Sequence, residues 1–274
     1  MVARLRQLLA AILTITLAIP LSAIASDPSG MNGAVTYTYD PAGNRTQKVS
    51  TIPGYPGGLT NYNANDQLST DTYDNDGNTT ASNGVGYVYD FENRLVQAGG
   101  GISIVYDGDG NRVSKTVAGV TTQYMVDTQN PTGYAQVVQE ITTNSAGTST
   151  VAYIYGLERI SQRRDPEGQP RQISWYVYDG HGSVRALADQ TGAVTDTYDY
   201  DAFGNLIHQT GTTLNNHLFA GEQFDPDLNL YYNRARYLNV STGRFVSQDP
   251  VEGGERRSGN AAQVSVRRRR SYRQ

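Results

Sequence analysis

"YVYDGHGSVRALADQTGAVTDTYDYDAFGNLI", residues 176–207, uses one device three times. Aromatic or apolar residues lead to Asp, two or three residues follow, then Gly, and the chain returns to apolar residues. In Tyr-x-Tyr both rings fall on one face of a strand, because strand side chains alternate with period two. Asp at the first turn position offers its carboxylate to backbone N–H groups just ahead of it. Gly in fourth place takes the left-handed backbone that closes a type I turn with a bulge. Each unit therefore reads as a β-hairpin.

The device recurs as YTYDPAGNR (37–45), TYDNDGNT (72–79), YVYDFENRL (87–95) and IVYDGDGNRV (104–113), with looser copies at 165–168 and 189–192. The turn positions are Asp40 with Gly43, Asp74 with Gly77, Asp90 with Asn93, Asp107 with Gly110, Asp179 with Gly182, and Asp201 with Gly204. Asn93 replaces Gly in one copy and is the other residue that tolerates the left-handed region; Asn229 in Asp227-Leu228-Asn229 fits the same role. The closer Tyr-Asp steps run from 16 to 20 residues, too short for propeller blades of roughly 40. The fold expected is all-β: tandem hairpins forming one extended, curling antiparallel sheet. A unit this small does not bury its own face, so something must cover the Tyr stripe. Residues 51–58 read as a loop, and a longer hairpin is expected around 144–147. The single amphipathic helix the pattern suggests lies over 230–238.

Composition agrees. Of 274 residues, 20 are Tyr and 29 Gly, against 5 Phe and 1 Trp, which favours strands and turns. There is no Cys, which excludes disulfides, thiol chemistry and cysteine-ligated zinc. Residues 1–25 read as a signal peptide: Arg4 and Arg6, an apolar run at 8–19, and Ala23-Ile24-Ala25 with cleavage between Ala25 and Ser26. The run is about 12 residues against roughly 20 for a membrane span. The expectation is a secreted, cell-surface or periplasmic protein that meets a membrane only during export.

A linker (26–34), the repeat region (35–218), a closing segment (219–253) and a basic, disordered tail (254–274) follow. With the nine terminal arginines and Glu255 set aside, residues 27–254 hold 13 basic and 25 acidic residues. Such a body is a poor match for phosphate, and no nucleic-acid partner is expected.

Other chemistry finds little support. Counted as an EF-hand from Asp107, positions six and twelve are Arg112 and Ala118, where Gly and Glu are needed. His181, His208 and His217 lack metal-ligand spacing. No G-x-S-x-G and no G-x-G-x-x-G occurs, so neither a metal nor a cofactor is expected. Trp175 reads as packing, and exposed Tyr rows suit either sugar rings or a half-buried sheet.

The tandem units followed by "FAGEQFDPDLNLYYNRARYLNVSTGRFVSQDP" (219–250) resemble an Rhs/YD-repeat protein with its C-terminal RHS repeat-associated core segment. The resemblance covers residues 35–250. It implies a sheet that spirals into a shell around a toxic C-terminal polypeptide, a core segment that caps the shell and in several members acts as an aspartyl autoprotease, and other members at cell surfaces linked to carbohydrate. The chain departs from that pattern. Asn239 stands where the family carries Asp, leaving Asp249 as the one carboxylate of the pair, and the cleavage sequence is altered to Asp249-Pro250-Val251-Glu252-Gly253. The 20 residues after Gly254 are too few to bury a core. The expectation is therefore an exported scaffold without catalytic activity, a terminal fragment of a shell-forming or surface-interaction protein. The alternatives are an autoproteolytic core of a toxin-delivery protein used in contact-dependent competition, and a carbohydrate-binding module. Its partners would be other shell segments, a toxin cargo or cell-surface carbohydrate.

Overall fold

Tyr-x-Tyr alternation and Asp-x-x-Gly turns dominate the architecture. The structure is a computed structural model that describes residues 33–249 and one short strand at Ile15–Leu17. The signal-cleavage expectation at Ala25 and Ser26, most of the linker, and the basic tail lie outside the described residues. Among the described residues, contacts divide the chain into two compact units, one up to Asp71 and the other from Thr72 onward.

The first unit carries one antiparallel sheet of β1 (Ile15–Leu17), β2 (Val35–Tyr39), β3 (Arg45–Ser50) and β4 (Gly58–Leu59), in that order. Its hairpin turns at Asp40, where Oδ1 accepts from the backbone N–H of Ala42 (2.9 Å) and Asn44 (2.8 Å). The Asn44 carboxamide donates to Asp40 Oδ2 at 2.9 Å and to Asp66 Oδ1 at 2.8 Å, tying the turn to the loop that follows β4.

The second unit is an open sheet of 14 antiparallel strands whose order is the order of the chain. They are β5 (Thr72–Tyr73), β6 (Thr79–Ser82), β7 (Val85–Tyr89), β8 (Leu95–Ala98), β9 (Ile102–Tyr106), β10 (Arg112–Val117) and β11 (Val120–Asp127). Then come β12 (Gln136–Asn144), β13 (Gly147–Tyr155), β14 (Arg159–Asp165), β15 (Gln172–Tyr178), β16 (Val184–Ala188), β17 (Val194–Tyr200) and β18 (Leu206–Thr210). A return segment follows, with a 3₁₀ turn at Phe219–Gly221 and a separate sheet of β19 (Gln223–Asp225), β20 (Leu230–Asn233), β21 (Arg236–Asn239) and β22 (Arg244–Phe245). No α-helix occurs among the described residues.

The helix expected over 230–238 is the β20/β21 hairpin. Arg234 turns it with φ +60°, and Leu230, Tyr231 and Tyr232 are all buried. A strand covered on both faces has an unbroken apolar run, which mimics helical spacing over so short a length.

Each Asp turn sits beside a register shift, as at Val88/Tyr89, Val177/Tyr178 and Asp199/Tyr200. That is the bulge a three-residue hairpin loop requires. Gly110 and Gly182 adopt φ +81° and +89°, and Asn93 and Asn229 adopt +61° and +56°.

One face of the sheet buries Tyr87, Tyr124, Tyr153, Tyr176, Tyr198 and Tyr200. The other exposes Val88, Val105, Met125, Ile154 and Val177. Trp175, expected in packing, stands on the exposed face at 44 % exposure, because it is one residue out of register with Tyr176. Both core clusters form between the Tyr face and the return segment. One joins Leu95, Ala98 and Ile104 to Leu230, Tyr237 and Val246. The other joins Val184, Leu187 and Tyr200 to Leu218, Tyr231 and Val240.

Candidate functional site

The interface between the Tyr face and the return segment is the one place where buried charge gathers among the described residues. It begins at the turns. In each turn the Asp carboxylate accepts from the backbone two and four residues ahead, as Asp201 does from Phe203 (2.8 Å) and Asn205 (2.9 Å). At the turns of Asp74, Asp179 and Asp201 the residue after the turn's Gly also bonds the return segment. Asn205 donates to Asp201 at 2.8 Å and, with its second hydrogen, to the carbonyl of Val240 at 2.9 Å. Asn78 accepts from the backbone of Gln248 at 2.9 Å, and Ser183 Oγ accepts from Ala220 at 3.1 Å. Backbone bonds from Val184 to Leu218 (3.0 Å) and from Thr79 to Val246 (2.8 Å) complete the row. The repeated turns thus serve as docking points for a non-repeated segment.

Between the turns the sheet contributes charge. Arg112, 1 % exposed, donates to Asp225 Oδ2 at 3.2 Å, to Tyr237 Oη at 3.0 Å and to Gln223 Oε1. Its guanidinium carbon lies 4.3 Å and 4.2 Å from the ring centroids of Tyr124 and Tyr232. Lys115 Nζ bridges Asp225 (2.7 Å) and Asp227 (2.6 Å). Glu140 Oε1 accepts from Tyr153 and Gln223, each at 2.8 Å. Arg159 donates to Tyr155 Oη (3.1 Å) and to the carbonyl of Gly221 (3.3 Å). Arg234 holds Glu222 at 2.9 Å and the carbonyl of Ala135 at 3.1 Å.

Burial lowers the Arg112 pKa, but the phenol oxygens of Tyr237 and Tyr124 and the Asp225 carboxylate outweigh it and hold it well above the usual value. Burial raises the Tyr237 phenol, so it stays a neutral donor and acceptor. Removing either partner of such a buried pair strands the other charge, which fixes the seating of the segment more than it adds stability.

The autoprotease candidates lie at the far end of the return segment and are engaged separately. Asp249, half exposed, pairs with Arg236 at 3.1 Å, and that guanidinium lies 3.7 Å from the Phe245 ring centroid. Asn239 Oδ1 accepts from the backbone N–H (3.0 Å) and hydroxyl (2.6 Å) of Ser241, and its carbonyl accepts from Gly243 at 2.7 Å. The residue thus closes a turn. No cluster of three or more His, Asp or Glu placed to hold a metal occurs among the described residues.

Sequence reasoning passed over Arg112, Lys115, Glu140, Arg159 and Asp225. A signal existed for Arg112: it occupies the strand position that follows each turn, where Leu95 and Val184 stand in other copies.

No protein-family model matches the chain. Among curated proteins it is 32 % identical over 237 residues to the tRNA nuclease WapA of Bacillus subtilis (strain 168), covering 81 % of this chain and 10 % of that protein. The tRNA3(Ser)-specific nuclease WapA of Bacillus spizizenii matches over the same shares. The chain thus spans about a tenth of the length of these relatives. It is 35 % identical over 101 residues to the uncharacterised protein YibJ of Escherichia coli (strain K12), covering 35 % of this chain and 42 % of YibJ. Among solved structures, the crystal structure of TcdB2-TccC3 superposes over 80 % of this chain and 12 % of its own, with TM-score 0.65 and 22 % identity. The Photorhabdus luminescens Tc holotoxin pore gives TM-score 0.65 over 79 % of this chain. The matched stretch of these solved chains therefore shares the fold of this chain.

Two expectations change. The expectation of a scaffold without catalytic activity is overturned by relatives named as nucleases. The expectation of no nucleic-acid partner rested on the charge of residues 27–254, and it does not extend to relatives named for tRNA.

Proposed function

We propose that this chain is a segment of an Rhs/YD-type shell in a toxin-delivery protein, with the return segment at 211–249 acting as the cap of its stretch of wall. Three of the relatives matched over this stretch, the WapA proteins, are named as tRNA nucleases. The observation that supports this best is the seating of the return segment on the row of Asp turns and on the Arg112–Asp225–Lys115 network. Every turn that docks the segment is also a turn of the repeat, so wall and cap are one device. The likeness to TcdB2-TccC3 over four-fifths of the chain supports the same reading.

The test is protease protection in the longest polypeptide that carries this segment. Asp225→Ala removes the carboxylate shared by Arg112 and Lys115. The expected result is that sequence beyond the cap resists protease in the wild type and is cut in the variant. Equal digestion of both would reject a capped shell.

A further inference from the structure

His217 lies inside the interface between the cap and the sheet, 2 % exposed, and the docking described above does not use its ring. Its backbone is fixed by the neighbouring Asn215, whose Oδ1 accepts from His217 N at 3.0 Å and whose Nδ2 donates to the His217 carbonyl at 2.9 Å. Tyr176 Oη donates to the same Asn215 oxygen at 3.2 Å. The imidazole packs edge-on against Tyr153, with ring centroids 4.7 Å apart and an interplanar angle of 80°. Its Nδ1 is buried and has no hydrogen-bond partner among the described residues.

The charged groups around the ring come from every element packed on it. Arg159 and Arg164 of β14, Arg112 of β10 and Arg234 from the β20/β21 turn all act on it with like charge. Arg112 and Arg234 are matched by Asp225 and Glu222, but Arg159 and Arg164 have no ion pair among the described residues. Asp165, at the end of β14, is held by Arg163 and Arg171, and Glu140 of β12 accepts from Tyr153 and from Gln223, which forms a strand bridge with His217. A proton on the imidazole would add a further positive charge to a buried site already lined by guanidinium groups.

We propose that His217 is an acid-sensitive latch: the neutral ring lets the return segment seat on the sheet, and protonation drives the segment off. Burial first, then the four guanidinium groups, hold the imidazole well below its ordinary pKa in the folded protein. The sign follows from linkage. A histidine depressed by folding contributes its full share of stability above the unfolded value of about 6.5, and that share is lost as pH falls from there toward the folded value. The latch stands on this interface alone and holds whether or not the chain walls in a toxin.

The experiment is urea denaturation of the full chain between pH 7.5 and 5, for wild type and His217→Phe, with the imidazole signals followed by NMR in the wild type. In the wild type the unfolding constant is expected to rise below pH 6.5 by up to tenfold per pH unit, which is 1.36 kcal/mol. That rise is expected to be absent in His217→Phe. The His217 signal is expected to remain that of a neutral ring as pH passes 6.5. A His217 signal that titrates at or above 6.5, or equal acid slopes in both proteins, would overturn the latch. Should the Phe variant not fold, the wild-type NMR titration decides by itself.

Discussion

The 14-stranded sheet and the return segment face each other across one interface but are specified differently. In the sheet every strand pairs with its neighbour in sequence, and each Asp turn sets its own register. In the return segment the strands are two to four residues long and are pinned by groups more than a hundred residues away, as Asp225 is by Arg112 and Lys115. Repetition suffices where contacts are local. A segment that crosses many repeats needs individual, non-repeating anchors, and here they are buried charges that interrupt the Tyr stripe.

This contrast predicts unequal penalties. Asp225→Ala leaves Arg112 and Lys115 buried without their shared carboxylate and is expected to cost about 3–5 kcal/mol in urea denaturation. Asp107→Ala, at a partly exposed turn, is expected to cost about 1 kcal/mol. Equal losses would erase the distinction between wall and anchor.

Two glycines equivalent in the repeat sharpen it. Gly182 has φ +89° and open space where a Cβ would stand, whereas at Gly204, φ +93°, a Cβ would come within 2.6 Å of the Phe219 ring. Gly182→Ala should therefore cost only the left-handed strain, about 1–2 kcal/mol. Gly204→Ala should add overpacking and cost about 2–4 kcal/mol. Thermal or urea unfolding of the pair compares them, and equal values would mean that Phe219 yields freely.

The same contrast explains what was legible in the sequence. Hairpins, bulges and the left-handed Asn93 and Asn229 follow from turn chemistry that acts within five residues. The return segment does not, because the role of Asp225 depends on Arg112, 113 residues away. The stretch 230–238 suggests a helix for a related reason. Its two faces are buried by different partners, and apolar spacing alone does not distinguish that from one helical face. The site was half visible: the block at 219–250 stood out, but the strand charges that hold it did not.

The turn residue after Gly tests whether wall and anchor are separable. Asn111 spends its carboxamide on Asp107 alone, at 3.0 and 3.3 Å, whereas Asn205 divides its two hydrogens between Asp201 and the Val240 carbonyl. Asn205→Ala should thus lose a local bond and a cap bond, about 1–2 kcal/mol, and Asn111→Ala only the local one, about 0.5–1 kcal/mol. Hydrogen exchange separates the two effects. Exchange around β21 and β22 is expected to quicken in Asn205→Ala and to stay unchanged in Asn111→Ala. Burial pushes the Asp107 carboxyl up, but the Asn111 side chain and the backbone N–H groups of Asn111 and Asp109 outweigh it, so its pKa lies below the usual carboxylate value. A carboxylate depressed by folding stabilises above its unfolded pKa, and that share is lost as pH falls through the folded one. Asn111→Ala should therefore bring the Asp107 titration back toward the usual value, while the cap stays seated. If the cap loosened as well, the turns would not be independent units, and the return segment would be reading the wall as a whole.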